Sequence, residues 1–461
     1  MDEHQPFARR IAQFALGLGP MAGREDVRET ITRSVVDTVA CLVGALDAKS
    51  VISAREAALA FEAVPADAAV PRASLAGSDG YATIAAASFV NGIAARYLDY
   101  NDIYLSKEAM HPSDNIPMVL ALAEGLGRSG ADALDAIIRG YEVHCRLADT
   151  VSTRKGGWDN VILGAIAAAV AASTLLELDE EALANAIAIA ATGNVALMET
   201  RVGELSMWKS AACSYAGRAG LFAAMQARHG LTGPALALDG KKGLFAQVTG
   251  VADPAHFTLP VERPSLFDVH LKAYPIQYFT QTAIDAALAV RGAAPVAEIE
   301  RIRVETFEFG RVAAADSPQK WQPRTRETAD HSLPYAVAAA LLDGKVGEAQ
   351  FEPARILAND IQSLMALIEV EENPDFTAAY PERVPTRITV SARGGDTHEA
   401  QVDFPRGHAR NPMSHDEISA KFRDMSPFGG ETDALLGEWW RLASLPGAAF
   451  AALIRKTLIA A

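Results

Sequence analysis

The chain has 461 residues, 50% of them apolar and 21% charged, so it is long enough for two or more globular domains. Its formal charge of −15 and pI near 5.2 argue against a nucleic-acid partner and against a basic membrane-facing surface. An anionic substrate would therefore need a local cluster of Lys and Arg side chains. Three widely separated cysteines, Cys41, Cys145 and Cys213, suit a reducing cytoplasm and do not suggest a disulfide framework.

The N-terminal segment MDEHQPFARR lacks the charged-then-apolar pattern of a signal peptide. The longest apolar run, residues 161–176, is rich in alanine and slightly short for a bilayer span, so it is predicted to be a buried core helix. We therefore expect a cytoplasmic protein without a membrane partner.

Apolar residues at helical spacing predict a succession of helices through the first 265 residues. The predicted ranges are 7–18, 24–46, 50–62, 115–126, 131–149, 161–176, 180–192 and 208–229. Gly230 and Gly233, followed by Pro234, predict where the last of these helices ends. This part of the chain is therefore predicted to be all-helical.

Beyond about residue 265 the pattern changes to the alternation that is typical of strands. The predicted strands are 299–307, 364–372, 387–393 and 397–404, and short helices are predicted at 416–424, 432–443 and 447–458. Because short helices need a partner face, we expect the last three to pack on the first domain. The predicted fold is mainly α: a large all-helical domain built from both termini, residues 1–265 and 405–461, and a smaller α+β lid domain, residues 266–404.

Sequence motifs for common cofactors are missing from the chain. There is no GxxxxGK[ST] loop, no GxGxxG between a strand and a helix, no HExxH, no paired CxxC and no GxSxG. The three cysteines are scattered along the chain and do not form the grouped set of ligands that an iron–sulfur cluster requires. We therefore expect no metal and no cofactor, which leaves acid–base chemistry or plain binding.

Residues 91–143 begin as an Ala-rich helix and break into a polar loop before a second apolar helix. The ionisable and amide side chains of that loop are Asp99, Asn101, Asp102, Lys107, Glu108 and His111. A loop of this kind between apolar helices suits acid–base chemistry. The alternative is a solvated connector in which the aspartates cap helices and His111 lies on the surface.

Two lysines are candidates for binding a carboxylate. Lys209 falls in the first turn of a predicted helix, where the helix N-terminus adds partial positive charge. Lys272 is the first residue of a polar and aromatic segment, KAYPIQYFTQ. The alternatives are a surface lysine at a helix start for Lys209 and a lysine that snorkels from a loop for Lys272.

Several motifs together resemble the MmgE/PrpD family, which includes 2-methylcitrate dehydratases, cis-aconitate decarboxylases and an iminodisuccinate epimerase. The motifs are LDYND (98–102), HPSDN (111–115), AEGLGRSG (123–130) before GYEV, the start of the Lys209 helix, KAYP (272–275) and TRETADHSLPYAVAAALLDG (325–344). The resemblance covers residues from about 30 to 425. It implies an active site in a cleft between a helical domain and an α+β lid, usually in a homodimer.

The resemblance implies a metal-free dehydratase or hydratase-type lyase acting on a small hydroxy-polycarboxylate such as 2-methylcitrate, with a place in propionate metabolism. His111, oriented by Asp99, would transfer the proton, and Tyr335 would donate to the leaving oxygen. The catalytic residues predicted in this way are His111, Asp99, Lys209 and Tyr335, and the substrate-binding residues are Lys272, Asn160, Asp102 and Phe279. His331 and Arg326 are predicted to be structural.

Two positions depart from the family pattern, because dehydratase relatives have histidine where this chain has Asn160 and Phe279. Asn can form hydrogen bonds but cannot move a proton, and Phe can do neither. We therefore expect poor activity on 2-methylcitrate itself and a preference for a substrate with an apolar group near Phe279. The alternatives are a decarboxylase or epimerase of the same family, or a catalytically weakened member that only binds a carboxylate.

Overall fold

A computed structural model of the protein describes residues 5–203, 205–250 and 253–459. The chain separates into two compact units. The larger unit contains the chain up to Arg201, Ser210–Val269 and the segment from Ser414 onward, and the smaller unit contains Val202–Lys209 and His270–Met413. The fold is mainly α with a small α+β portion, which confirms the predicted fold class.

The helices follow one another along most of the chain. In order they are α1 (Phe7–Gly17), α2 (Glu25–Val43), α3 (Lys49–Phe61), α4 (Ile84–Tyr97), α5 (Ile116–Leu126), α6 (Gly130–Thr150), α7 (Val161–Leu175), α8 (Glu180–Gly193), α9 (Trp208–Arg228), α10 (Gln281–Val290), α11 (Glu308–Ala315), α12 (Pro318–Trp321), α13 (Arg326–Ala329), α14 (Leu333–Asp343), α15 (Pro353–Ile356), α16 (Asn359–Met365), α17 (Pro374–Ala379), α18 (His415–Met425), α19 (Thr432–Trp440) and α20 (Gly447–Leu458).

The strands form two short ribbons and one sheet. They are β1 (Ala73–Ser74), β2 (Tyr81–Ala82), β3 (Tyr104–Leu105), β4 (Ala109–Met110), β5 (Ile299–Thr306), β6 (Ile368–Glu372), β7 (Thr386–Ala392) and β8 (Thr397–Val402). The β1–β2 and β3–β4 ribbons belong to the larger unit, which is otherwise helical among the residues described. The prediction of an all-helical large domain missed these ribbons because each strand is only two residues long.

Local sequence signals explain how the central helices of the larger unit form. α6 begins with a reciprocal capping box, in which the Ser129 hydroxyl accepts from the Asp132 amide and the Asp132 carboxylate accepts from the Ser129 amide. α7 is apolar and buried on nearly all sides, as the Ala-rich run at 161–176 predicted, and it packs against α6 and α8.

Among the described residues, no helix combines the length and the apolarity that a membrane crossing would require.

The C-terminal helices α18, α19 and α20 pack within the larger unit. The amide of Gly77 donates to the Leu458 carbonyl at 2.7 Å, and the amide of Gly130 donates to the Leu445 carbonyl at 3.0 Å. A Cβ atom at position 130 would collide with the Leu442 carbonyl, so only glycine allows this close approach. The tail is thereby joined to α6 at its first residue.

The smaller unit is built on a four-stranded sheet in the order β6-β5-β7-β8, in which only the β5–β6 pair is parallel. α10 packs on β7, β8 and α14. Ile302 and Val304 of β5, Ile388 of β7 and Val337 of α14 are all buried in this core. Buried and less buried residues alternate along β7, and Ile302 and Val304 alternate with exposed residues on β5, which is the pattern that predicted strands here.

One predicted strand was wrong in its first half. Residues 364–372 were expected to form a single strand, but β6 begins only at Ile368. Leu364 and Met365 lie in the last turn of α16, which buries both side chains. A short apolar run fits the end of a buried helix as well as the start of a strand, so periodicity could not distinguish the two.

Candidate active site

The loop after α4 is organised around Arg96, whose side chain is buried. Its guanidinium donates to Asp99 Oδ1 at 2.9 Å and to Asn101 Oδ1 at 2.7 Å, and its Nε lies 3.2 Å from Asp114 Oδ1. Burial alone would lower the pKa of Arg96, but the carboxylates of Asp99 and Asp114 outweigh burial and raise it. A charged guanidinium therefore joins the LDYND and HPSDN motifs from inside the loop.

Asp102 is fully buried, and both of its carboxyl oxygens accept hydrogen bonds from the protein. Oδ1 accepts from the Ser113 amide at 3.1 Å and from the Ser113 hydroxyl at 2.5 Å, while Oδ2 accepts from the Tyr141 hydroxyl at 2.8 Å. Burial raises the pKa of Asp102 to about 7, against the opposing effect of these hydrogen bonds. The side chain links the loop to α6, and a direct contact with substrate stays a prediction.

His111 is half-buried at the end of β4, and its ring is held through Nδ1. Nδ1 lies 2.5 Å from the backbone carbonyl oxygen of Asp102. A carbonyl can only accept, so Nδ1 carries the hydrogen and, in the neutral ring, Nε2 holds the lone pair. This tautomer suits a general base acting through Nε2. The orienting contact on Nδ1 thus comes from the backbone of Asp102, whereas the sequence suggested the Asp99 carboxylate.

The ribbon that precedes His111 is anchored on both sides. The Glu108 carboxylate accepts from the Thr153 amide at 2.8 Å and from Arg154 Nε at 2.6 Å. Nδ2 of Asn160 donates to the Ala109 carbonyl at 2.6 Å, two residues before His111. At this position Asn160 supports the backbone that carries His111, and its predicted contact with substrate stays untested.

Lys209 lies in the smaller unit, where it forms a buried ion pair with Asp330. Its Nζ is 2.9 Å from both carboxyl oxygens of Asp330. Nδ1 of His331 is 2.6 Å from Asp330 Oδ1, and the Gln277 amide donates to the Asp330 carbonyl at 2.8 Å. A substrate carboxylate at Lys209 would therefore share the ammonium group with Asp330.

Lys272 is also buried in the smaller unit, beside a loop that contains Gly407. The amide of Leu271 donates to the Gly407 carbonyl at 2.9 Å. Gly407 has a φ of 95°, and a Cβ atom there would collide with the Leu271 carbonyl. Glycine at this position therefore lets the loop pack directly on the backbone that carries Lys272.

Phe279 and Tyr335 both pack in apolar surroundings of the smaller unit. The Phe279 ring lies 4.7 Å from the ring of Phe309 and 5.8 Å from that of Phe307, both edge to face. Tyr335 has no exposed surface, and its hydroxyl donates to the Gln350 carbonyl. Burial raises the pKa of the Tyr335 phenol. This environment favours a structural role for Tyr335 over the catalytic role that the sequence predicted.

Sequence reasoning missed Arg96 and Asp330, although each had a local signal. Arg96 is the one charged residue of α4, and a charge in an otherwise apolar, buried helix requires a buried partner. Asp330 directly precedes His331 in the ADHS segment of a recognised motif. What the sequence could not supply was the partner of each residue.

Both units match domains of one enzyme family. The MmgE/PrpD N-terminal domain matches residues 9–256, and the MmgE/PrpD C-terminal domain matches residues 274–434. The chain therefore belongs to the MmgE/PrpD family, which confirms the resemblance seen in its motifs.

The chain is similar to curated enzymes that carry two different names. A 2-methylcitrate dehydratase of Salmonella typhimurium is 29% identical over 347 residues, which are 70% of this chain and 71% of the relative. A 2-methylcitrate dehydratase of Cupriavidus necator is 28% identical over 410 residues, 83% and 82% of the two chains. The cis-aconitate decarboxylase of Homo sapiens is 30% identical over 366 residues, 73% and 71%.

Proposed function

We propose that this protein is a lyase that removes water from a small hydroxy-polycarboxylate related to 2-methylcitrate. The observation that carries the proposal is the state of His111, whose Nδ1 is held by the Asp102 carbonyl so that Nε2 is the basic nitrogen. The names of the relatives, dehydratase and decarboxylase, support a lyase-type reaction on a small carboxylate.

In the proposed elimination, Nε2 of His111 takes the proton from the carbon next to a substrate carboxylate. The electron pair of that C–H bond forms the double bond as the neighbouring C–O bond breaks. The departing oxygen takes up one proton and leaves as water. Lys209 and Lys272 would bind carboxylates and stabilise the negative charge that develops next to them.

The proton for the departing oxygen has two candidate sources. The sequence prediction assigns it to Tyr335, whose hydroxyl would first have to leave the Gln350 carbonyl. The His111 imidazolium formed in the first half of the reaction is the simpler source, because returning its proton regenerates the base. Rates are expected to distinguish the two, since only the first depends on the Tyr335 hydroxyl.

Decarboxylation is the second candidate, and the surroundings of Asn160 and Phe279 favour it. Asn160 donates to a backbone carbonyl and Phe279 packs among aromatic rings, so neither position supplies a proton. Loss of carbon dioxide from an unsaturated polycarboxylate needs only one proton donor for the carbon that is left behind. The imidazolium form of His111, with a proton on Nε2, could fill that single role. Epimerisation, or binding without turnover, are further outcomes that the experiment below separates.

The experiment measures the absorbance of an unsaturated product from a panel of hydroxy-polycarboxylates, with a metal chelator present. Carbon dioxide release from unsaturated tricarboxylates and proton exchange in D₂O are followed on the same preparation. We expect dehydration, weaker on 2-methylcitrate than on an analogue with an additional apolar group. Carbon dioxide release without dehydration would identify a decarboxylase instead, and exchange with inversion alone an epimerase.

Two controls make this assay decisive. The His111→Ala variant should be slower by about 10²-fold or more. His415→Ala, which changes an exposed histidine of the larger unit, should be as active as the wild type. Calorimetric binding of a polycarboxylate without any turnover would contradict the lyase assignment. Activity lost to the chelator and restored by added zinc or iron would contradict a metal-free reaction. We also expect a homodimer, with a sedimentation mass about twice 48.9 kDa.

A further inference from the structure

A buried lysine of α18 contacts the backbone of the loop that carries the candidate acid–base residues. Nζ of Lys421 lies 2.7 Å from the carbonyl oxygen of Tyr100 and 2.7 Å from Asp37 Oδ1. It also lies 3.5 Å from the centre of the Tyr100 ring. Lys421 is 4% exposed and Asp37 is fully buried, so the ammonium group is enclosed by protein.

The three contacting residues come from distant parts of the chain. Asp37 lies on α2, Tyr100 is the central residue of the LDYND motif, and Lys421 follows 321 positions later on α18. α18 packs along α2, so the ion pair is carried on two helices that are themselves fixed together. The Tyr100 carbonyl is thus held by a side chain that is anchored between two packed helices of the larger unit.

The loop at Tyr100 has a conformation that needs such support. Asp99 has a φ of 48°, in the left-handed region that residues with a Cβ seldom adopt. A conformation of this kind is disfavoured and persists where the surroundings enforce it. Arg96 holds the side chains of Asp99 and Asn101, while Lys421 holds the backbone between them.

The ion pair is not explained by stability alone. Replacing a buried ion pair by apolar groups of similar volume is often neutral or stabilising, because both charges must be removed from water. A methionine at 421 beside an asparagine at 37 would fill comparable space. The methionine and asparagine could not donate a charge-assisted hydrogen bond to the Tyr100 carbonyl, as the Lys421 ammonium does.

We propose that Lys421 is a positioning residue that fixes the Tyr100 carbonyl and thereby the orientation of His111. Asp102, two residues after Tyr100, supplies the carbonyl that holds His111 Nδ1. A shift of the loop at Tyr100 would move the Asp102 carbonyl and thereby turn the imidazole of His111. The inference rests on the proposed acid–base role of His111.

The test compares the single variant Lys421→Met with the double variant Lys421→Met/Asp37→Asn. The single variant leaves the Asp37 carboxylate buried without its ammonium partner, so both its stability and its rate should fall. The double variant removes that charge as well. We expect its melting temperature to return close to that of the wild type, while kcat stays at least tenfold lower and KM changes less than threefold. Lys456→Met, at an exposed lysine of α20, should match the wild type in all three.

Recovery of kcat together with stability in the double variant would overturn the proposal, because Lys421 would then act only through folding. Hydrogen exchange of the amides at 98–102 provides a readout that needs no substrate. We expect at least tenfold faster exchange in the double variant than in the wild type, with α7 unchanged. Unchanged exchange would overturn the proposal by itself. If the wild type turns over no substrate, the proposed function fails, and exchange still decides whether Lys421 holds the loop.

Discussion

The two units hold their charged candidate site residues in different ways. In the larger unit one guanidinium, Arg96, serves Asp99, Asn101 and Asp114, and hydroxyl groups of Ser113 and Tyr141 satisfy Asp102. In the smaller unit the ammonium of Lys209 lies 2.9 Å from both carboxyl oxygens of Asp330.

This difference indicates a division of work in the proposed reaction. A network that shares its charges over many partners fixes a loop, and His111 is held by the backbone of that loop. The compact ammonium group of Lys209 concentrates positive charge, which is the property required to bind an anionic substrate. The Lys209–Asp330 pair also predicts a large loss of stability when its single positive charge is removed.

The largest effect is expected for Lys209→Met, which leaves the Asp330 carboxylate buried without its ammonium partner. Breaking a buried ion pair in this way typically costs about 3–5 kcal/mol of the free energy of unfolding. Denaturant unfolding measures the loss, and Lys209→Met/Asp330→Asn should recover most of it. Lys345→Met, at an exposed lysine of the same unit, should stay within about 0.5 kcal/mol of the wild type. Equal losses in the two lysine variants would show that the buried pair with Asp330 contributes no more to stability than an exposed lysine.

The second effect concerns the larger unit and is catalytic. His111→Ala should lower kcat by about 10²-fold or more, the size typical of losing general acid–base catalysis. Because His111 is only half-buried, we expect a small change in the free energy of unfolding. Steady-state rates and unfolding curves on the same preparation test both statements. A variant that keeps the wild-type rate would return His111 to the solvated connector considered from the sequence.

The sequence predicted the local features of this protein well, because they depend on neighbouring residues. The apolar run at 161–176 became α7 within one residue, and the polar loop with His111 lies next to α5 as its Pro and Asn residues indicated. The fold class followed from the change of periodicity near residue 265. The predicted strand 364–372 failed at 364–367, where the end of a helix and the start of a strand share the same short pattern.

The partners of the charged side chains could not be predicted in the same way. Lys209 and Asp330 are separated by 121 positions, and Lys421 and Tyr100 by 321. No periodicity joins such distant residues. Tyr335 shows the converse difficulty, because a tyrosine in a matched motif fits an active site and a core equally well until its hydroxyl acceptor is known.

The third effect is a pH dependence in the larger unit, at His144 on α6. Burial lowers the pKa of this imidazole to about 3, from the 6.5 expected when it is exposed. Between pH 3 and pH 6.5 the unfolded chain binds a proton at His144 that the folded chain does not bind. His144 therefore does not lower the free energy of unfolding above pH 6.5, but lowers it increasingly as the pH decreases toward 3. A difference of one bound proton lowers the free energy of unfolding by about 1.4 kcal/mol per pH unit, which amounts to about 2 kcal/mol between pH 6.5 and pH 5.

His144→Gln should remove this pH dependence. The free energy of unfolding should then decrease by about 2 kcal/mol less from pH 7 to pH 5 in the variant than in the wild type. Buried carboxyl groups whose pKa is raised, such as those of Asp102 and Glu142, act with the opposite sign. They are present in both proteins and cancel from the difference. Parallel pH curves for the two proteins would show that His144 already takes up a proton in the fold. His415→Gln, at an exposed histidine, serves as the control.

The smallest effect is expected for Tyr335→Phe, and it decides how far the smaller unit takes part in proton transfer. The substitution keeps the ring in the core and removes one hydrogen bond to the Gln350 carbonyl. Losing such a hydrogen bond typically lowers the free energy of unfolding by about 1 kcal/mol. The loss is larger if the buried Gln350 carbonyl is left without another donor. If the phenol only packs and donates to Gln350, kcat should change less than threefold, and the proton for the departing oxygen comes from the His111 imidazolium. A fall of about 10²-fold with unchanged stability would instead establish Tyr335 as the acid that the sequence predicted. Proton transfer would then depend on both units, and the division of work between the larger and the smaller unit would no longer hold.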